Sequence, residues 1–345
     1  MHTDNLYLTL NLQKTQRITT LWAITECGLG GFFHAIQSPF TGLLVGGLAV
    51  VYISLIALIA SQGSSSALDR IKSIFTSLAS ALVFVLMVKA IVSPHSPIGA
   101  YFAVSLQALL GMVFFSLIPK FRLAAMFTAI GATVTSAAQK LIILVILFGT
   151  PLFEAIDSFV ISTAEKLEFI NAGNTFSASL WLAMAFVGIY AIGGVFIGWF
   201  TGLVPLQLKQ HQDKLDAVVK GFHSVIHTFE SKKKNHWIKY VFAAVIVIAF
   251  TVEYFFISSS AAWIQLIRTL TIIGLWVLAI QPLLKWFIRT KASNSSVAHQ
   301  ADEIQQALPT YLSFARYAWS NADSISGFKL NSFLLLLLYF SLHED

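Results

Sequence analysis

Charged residues are scarce: they make up 11% of the 345-residue chain, against about 25% in a soluble globular domain. That deficit excludes an ordinary soluble domain. With 57% hydrophobic residues, disorder is excluded as well. Cysteine is nearly absent, Cys27 being the sole one, so there is no disulfide scaffold. Also missing are HExxH, GxxxxGK(S/T) and GxSxG, and no Ser/His/Asp set or paired-carboxylate set stands out, so an ATPase site is not expected in this chain. There is no strand signal and no short repeat. What remains is an all-α, polytopic membrane helical bundle.

A spanning helix needs about 20 mostly apolar residues. Eight stretches qualify: 19–36, 40–61, 73–92, 98–118, 122–149, 176–204, 237–258 and 261–284. The first is the weakest, interrupted by Glu26 and three glycines. The polar N-terminal stretch has no short apolar core followed by a small-residue cleavage site, so no signal peptide is expected. Placing the N-terminus inside puts 18 of the 22 Lys and Arg residues in cytoplasmic segments: Lys14, Arg17, Arg70, Lys72, Lys120, Arg122, seven between Lys209 and Lys239, and Lys285, Arg289, Lys291, Arg316 and Lys329. The outer loops then hold Lys166 alone, and this bias predicts N-in, C-in topology with about eight transmembrane helices. The formal net charge of +6 needs no nucleic-acid partner, since insertion accounts for where the basic residues lie. The run Lys232-Lys233-Lys234 reads first as a topology determinant and second as a contact for anionic lipid. The lipid bilayer is the one partner that composition alone demands.

Four segments follow from this map. Residues 1–205 form a six-span membrane domain, 206–236 a cytoplasmic amphipathic helix, 237–289 a transmembrane hairpin, and 290–345 a cytoplasmic or interfacial tail. The outer connection 151–174 repeats apolar residues at helical spacing (Leu152, Phe153, Ile156, Phe159, Val160, Leu167) and predicts a surface-lying helix. Leu215, Val218, Val219, Phe222, Val225, Ile226 and Phe229 form the apolar stripe of the cytoplasmic helix. The polar stretch KASNSSVAHQADEIQQ reads as a linker. The run Phe333–Phe340 is too short to span.

Ionisable groups within a bilayer cost roughly 2.5–3.5 kcal/mol on insertion scales and face a partner or a cavity. Glu26, Lys89, Lys140, Glu253 and Arg268 are the cases here. Glu253 and Arg268 lie at similar depth on either side of the last outer turn, which predicts a structural ion pair. Glu26, Lys89 and Lys140 sit on three different spans and are expected either to line one polar cavity or, for Lys89, to snorkel to the surface. Gln139 adjoins Lys140, and Thr133, Thr135 and Ser136 precede it, either toward the same cavity or in helix–helix hydrogen bonds.

Two outer turns share a character: GLGGFFHAIQSPFTGLLVGG at 28–47 and SPHSPIGAYFAVSLQALLG at 93–111. Each has a histidine beside proline and serine and leads into a span that opens with small residues. Pro39, Pro94 and Pro97 interrupt helices, and irregular backbone at membrane depth is tolerated where it lines a cavity or packs in protein. The predicted substrate-binding residues are therefore Glu26, His34, Ser38, Thr41, His95, Ser96, Tyr101, Gln107, Gln139 and Lys140. No catalytic residue, cofactor or resident metal site is expected. His223 and His227 have the four-residue spacing that can hold a metal, but no third ligand accompanies them.

The stretches GLGGFFHAIQSPFTGLLVGGLAV and PHSPIGAYFAVSLQALLGMVFF make residues 17–205 resemble the substrate-binding membrane subunits of energy-coupling-factor (ECF) transporters. The resemblance implies a six-span helical fold that binds a vitamin, or less often a metal ion, near the outer face beneath the loop between the first two spans. It also implies a coupling subunit that grips ATPases through cytoplasmic helices, a role the segments 209–231 and 303–342 would fill. Phe314-Ala315-Arg316 is a fragment of the Ala-Arg-Gly signature of such helices. The opening Met1-His2 is shared with the cobalt and nickel members of that class, whose terminal amine and His2 bind metal outside. The charge bias puts Met1 inside here, so a metal ion is the lesser expectation.

The resulting expectation is a transporter component of a bacterial cytoplasmic membrane. It captures a small, vitamin-like solute from outside and couples to a cytoplasmic partner such as an ATPase subunit; it is more a non-enzyme than an enzyme. The alternatives are a membrane-embedded enzyme acting on lipid or isoprenoid, with the helix around His223 and His227 as its candidate, and a non-catalytic assembly or scaffold protein using the aromatic tail.

Overall fold

The computed structural model describes residues 2–35, 40–92, 96–166, 177–230, 263, 267, 296–325 and 328–343. Among them every regular element is helical. In chain order these are α1 (His2–Ala35), α2 (Thr41–Ser61), α3 (Ala67–Val92), α4 (Ile98–Leu117), α5 (Phe121–Lys166), α6 (Ala178–Gln210), α7 (Gln212–Glu230), α8 (Ser296–Asn321) and α9 (Lys329–His343), with a short 3₁₀ turn at Ala322–Ser324. Five of them, α2 to α6, are long and apolar enough to cross a membrane. The chain is thus a helical bundle of membrane-integral type. α1 contains the candidate span 19–36 but starts much earlier, at His2, and does not share the apolar character of the other five. The predicted hairpin spans 237–258 and 261–284, and with them Glu253 and Arg268, lie outside the described residues.

The described residues divide into two compact units, Met1–Gln212 with Leu337–Asp345, and Asp213–Leu336. In the first, α2 is the centre, packing against α1, α3, α4, α5 and α6. Its 21 residues make a rod of about 32 Å, enough for a hydrocarbon core. It is apolar on all sides, as a helix surrounded by others must be. Its glycines let the neighbours approach. A Cβ at Gly42 would stand 2.9 Å from the Ser136 Cβ on α5, one at Gly46 2.8 Å from the Gln107 Nε2 on α4, and one at Gly47 2.8 Å from the Ile197 Cδ1 on α6. Gly194, Gly198 and Gly202, one turn apart on α6, do the same against α5, where a Cβ at Gly198 would come within 2.6 Å of the Met126 Cα.

Successive helices from α1 to α6 run antiparallel. Arg70, opening α3, donates to the Ser116 carbonyl at the end of α4, and Ser73 to the Ala60 carbonyl at the end of α2. The bundle therefore has one end built from the basic residues Arg70, Lys72, Lys120 and Arg122. The other end is formed where α1 and α3 finish and α2 and α4 begin.

The 46 residues of α5 would measure about 69 Å as one straight rod, over twice a hydrocarbon core. The helix breaks at Gly149 (φ 65°, ψ −163°), with Pro151 following. Only glycine enters that backbone region without strain. Residues 151–166 then run as a separate helical segment, where a surface helix is predicted over 151–174. Its Asp157 accepts from the Ser179 backbone N–H (2.6 Å) and the Ser177 hydroxyl (3.3 Å), so it satisfies the start of α6.

In the second unit the first half of the apolar stripe of α7 is partly covered. Leu215, Val219 and Phe222 are buried, and Phe222 meets Phe314 edge-on at 5.1 Å and Tyr317 at 5.6 Å, both on α8. The polar stretch expected to be a linker is a correction. From Ser296 it forms the first turns of α8. Ala298, Ala301, Glu303, Gln305 and Gln306 are good helix formers, and neither glycine nor proline breaks the run before Pro309. The run Phe333–Phe340 lies in α9, at 15 residues too short to span, as its length predicts.

Candidate functional site

Four helices of the first unit bring ionisable and amide side chains to one interior cavity of about 220 Å3. That is room for a small organic solute, below the roughly 300–1,000 Å3 of drug-sized pockets. The cavity lies toward the end of the bundle opposite its basic end. Glu26 comes from α1, Lys89 from α3, Gln107 from α4, and Ser136, Gln139 and Lys140 from α5, while α2 contributes Thr41. Val45, Val104, Ala100, Ala103 and Ile143 make the walls apolar. Gly30, Gly42, Gly46 and Gly99 also border it, and a Cβ at Gly42, Gly46 or Gly99 would run into Ser136, Gln107 or Gln139.

Its central feature is an ion pair. The Lys89 Nζ donates to the Glu26 Oε2 at 2.7 Å, and both residues are buried, Lys89 at 1% exposure. Snorkelling, one of the two expectations for Lys89, is thereby excluded: the ammonium turns inward to a carboxylate. In a bilayer interior this is the cheaper arrangement, because each charge compensates the other. Thr25, next to Glu26, exchanges a hydrogen bond of 3.0 Å with the Tyr52 hydroxyl and ties α1 to α2 just below the pair.

The other polar groups are held by neighbours to different degrees. The Lys140 Nζ donates to the Tyr190 hydroxyl at 3.0 Å and stands 5.6 Å from that ring's centroid. The Gln139 amide donates to the Gly99 carbonyl at 2.7 Å, locking the start of α4 to α5. The Thr41 hydroxyl donates to the Phe33 carbonyl at 3.4 Å. Gln107 is 3% exposed, and its Oε1 accepts no hydrogen bond. Thr133, Thr135 and Ser136 donate to carbonyls one turn back in their own helix, not to another helix, and of the three only Ser136 reaches the cavity.

Of the ten residues expected to bind a solute, Glu26, Thr41, Gln107, Gln139 and Lys140 line this cavity. Tyr101 and Ser96 lie near it in the chain, at and before the start of α4, and are not in its lining. The side chain of His34, Ser38 and His95 fall outside the described residues. Sequence reasoning did not pair Glu26 with Lys89, although the rule that buried charges seek each other, applied to Glu253 and Arg268, would have found it. It also missed Tyr190, whose hydroxyl gives no periodic signal. Among the described residues no group of three metal-binding side chains occurs, and His223 is exposed on α7.

Compared with protein-family models, curated proteins and solved structures, the chain matches none. The class that fold and cavity define is a membrane helical bundle with a charged, partly apolar interior chamber.

Proposed function

We propose that this protein is a membrane transporter component whose first unit captures a small, vitamin-like solute in the cavity around Glu26, Lys89, Gln107 and Lys140. The observation that carries the reading is the convergence of these four side chains from α1, α3, α4 and α5 on one chamber inside a bundle of apolar helices. A purely structural core of this kind has no use for three ionisable groups around open space. The resemblance to the substrate-binding subunits of ECF transporters supports the same reading, and the charge bias supports a chamber opening outward, with the basic end in the cytoplasm of a bacterial cell. A cytoplasmic partner such as an ATPase subunit rests on that resemblance alone, since α7 uses its apolar stripe on α8.

Native mass spectrometry of the full chain, purified in mild detergent from its own host, tests this. The expected result is a small-molecule adduct that is retained by the unaltered protein and lost in Lys140→Met. A protein that carries lipid alone, or nothing, overturns the reading. Copurifying ATPase subunits would establish the coupling half of it.

A further inference from the structure

The cavity leaves particular hydrogen-bonding valences unspent, and their pattern selects a ligand chemistry. Among the described residues the Glu26 Oε2 and the Lys89 Nζ are each other's only partner, so the Glu26 Oε1 accepts nothing and Lys89 retains two further N–H donors. Gln107 lines the same cavity with its amide oxygen unpaired, and rotation of that amide lets it offer either a donor or an acceptor. A buried ion pair is stable only when its remaining protons and lone pairs are also satisfied, and a buried amide oxygen without a donor carries a desolvation cost. Gly30 borders the pair within the cavity lining: a Cβ built there would already be in ordinary contact, 3.7 Å from the Glu26 Oε2 and 3.8 Å from the Lys89 Nζ.

A carboxylate ligand brings acceptors only and would set its lone pairs against the Glu26 Oε1. An ammonium ligand would set its N–H groups against Lys89. A zwitterion offers both, at the cost of taking two more charges into a chamber walled by Val45, Val104, Ala100, Ala103 and Ile143. A neutral group with an N–H beside a C=O offers both without any new charge: its N–H reaches the Glu26 Oε1 while its oxygen takes the Lys89 donors, and the ion pair stays intact.

We propose, on the footing that this cavity is the solute site, that its ligand is a neutral small molecule presenting an amide edge, N–H beside C=O, on an apolar body, and that this edge docks on the Glu26–Lys89 pair beside Gly30.

The test uses the full chain in lipid nanodiscs and isothermal titration calorimetry with three probes. Benzamide carries the neutral amide edge, benzoate is its isosteric anion, and leucine is a zwitterion of similar size. Benzamide is expected to bind at least about tenfold more tightly than either of the others, one idle acceptor set against lone pairs being sufficient for that ratio. Gly30→Ala, whose methyl group makes only ordinary contacts and favours helix, should lower benzamide affinity at least about tenfold without lowering the thermal midpoint. Gln107→Leu should leave the preference for benzamide over benzoate in place, because that preference comes from the Glu26 Oε1. Tighter binding of benzoate or leucine overturns this inference and leaves the solute-site reading standing. Benzamide affinity unchanged by Gly30→Ala overturns docking on the pair. Failure of all three probes to bind at millimolar concentration overturns both.

Discussion

Glu26 and Lys89 are 63 positions apart in the chain and 2.7 Å apart in the bundle. Neither can be removed alone without leaving a buried charge uncompensated, which costs about 3–5 kcal/mol in comparable buried pairs. Glu26→Leu and Lys89→Met should therefore each lower the thermal midpoint in detergent sharply. The double variant should recover most of the loss, because two apolar side chains of similar volume replace the pair. Additive losses in that cycle would mean that the two residues do not interact. Lys140 is a different case. Its ammonium is held by a neutral phenol, Tyr190, so Tyr190→Phe leaves the charge in place and withdraws a single acceptor.

At the scale of elements, the break in α5 and the capping of α6 act together. Gly149 ends the span, and the segment after it carries Asp157 to the first N–H groups of α6. This segment lies beyond the length that a hydrocarbon core accommodates. The Ser179 backbone N–H, aided by the hydroxyls of Ser179 and Ser177, holds the Asp157 carboxyl below its ordinary value of 3.8. A carboxylate with a depressed value stabilises the fold above its unfolded value, and the contribution disappears as the pH falls through the folded one. The thermal midpoint of the unaltered protein should thus exceed that of Asp157→Asn by a constant margin above pH 4. The margin should close on further acidification. A margin that opens only in acid would contradict the capping role. The α7–α8 pair shows how an element can change meaning in three dimensions. A stripe that looks available for docking is already occupied by Phe314 and Tyr317.

In the first unit, the antiparallel helices sort the basic residues Arg70, Lys72, Lys120 and Arg122 to one end, and the positive-inside rule predicts that this end faces the cytoplasm. In a Cys27→Ala background, Ile98→Cys should react with a membrane-impermeant maleimide on intact cells. Leu68→Cys should react only after permeabilisation. Both positions are highly exposed, so labelling reports the side of the membrane and not burial. The opposite pattern would invert the topology and turn the chamber toward the cytoplasm.

Helical class, the approximate ends of α2, α3, α4 and α6, the break near residue 150 and the amphipathic face of α7 were all legible along the chain. Each depends on local composition and on a period of 3.6 residues, which neighbours in sequence carry. Five of the ten residues expected to bind a solute line the chamber, since an ionisable or amide side chain in an apolar segment advertises a buried partner. Folding alone decided the partners. Lys89 met Glu26 because α1 and α3 pack side by side, and Lys140 met Tyr190 because the glycines of α6 admit α5. The chamber itself is lined from α1 to α5, by residues as far apart in the chain as Glu26 and Ile143. Empty space between helices is a property of how they cross, and no single helix encodes it.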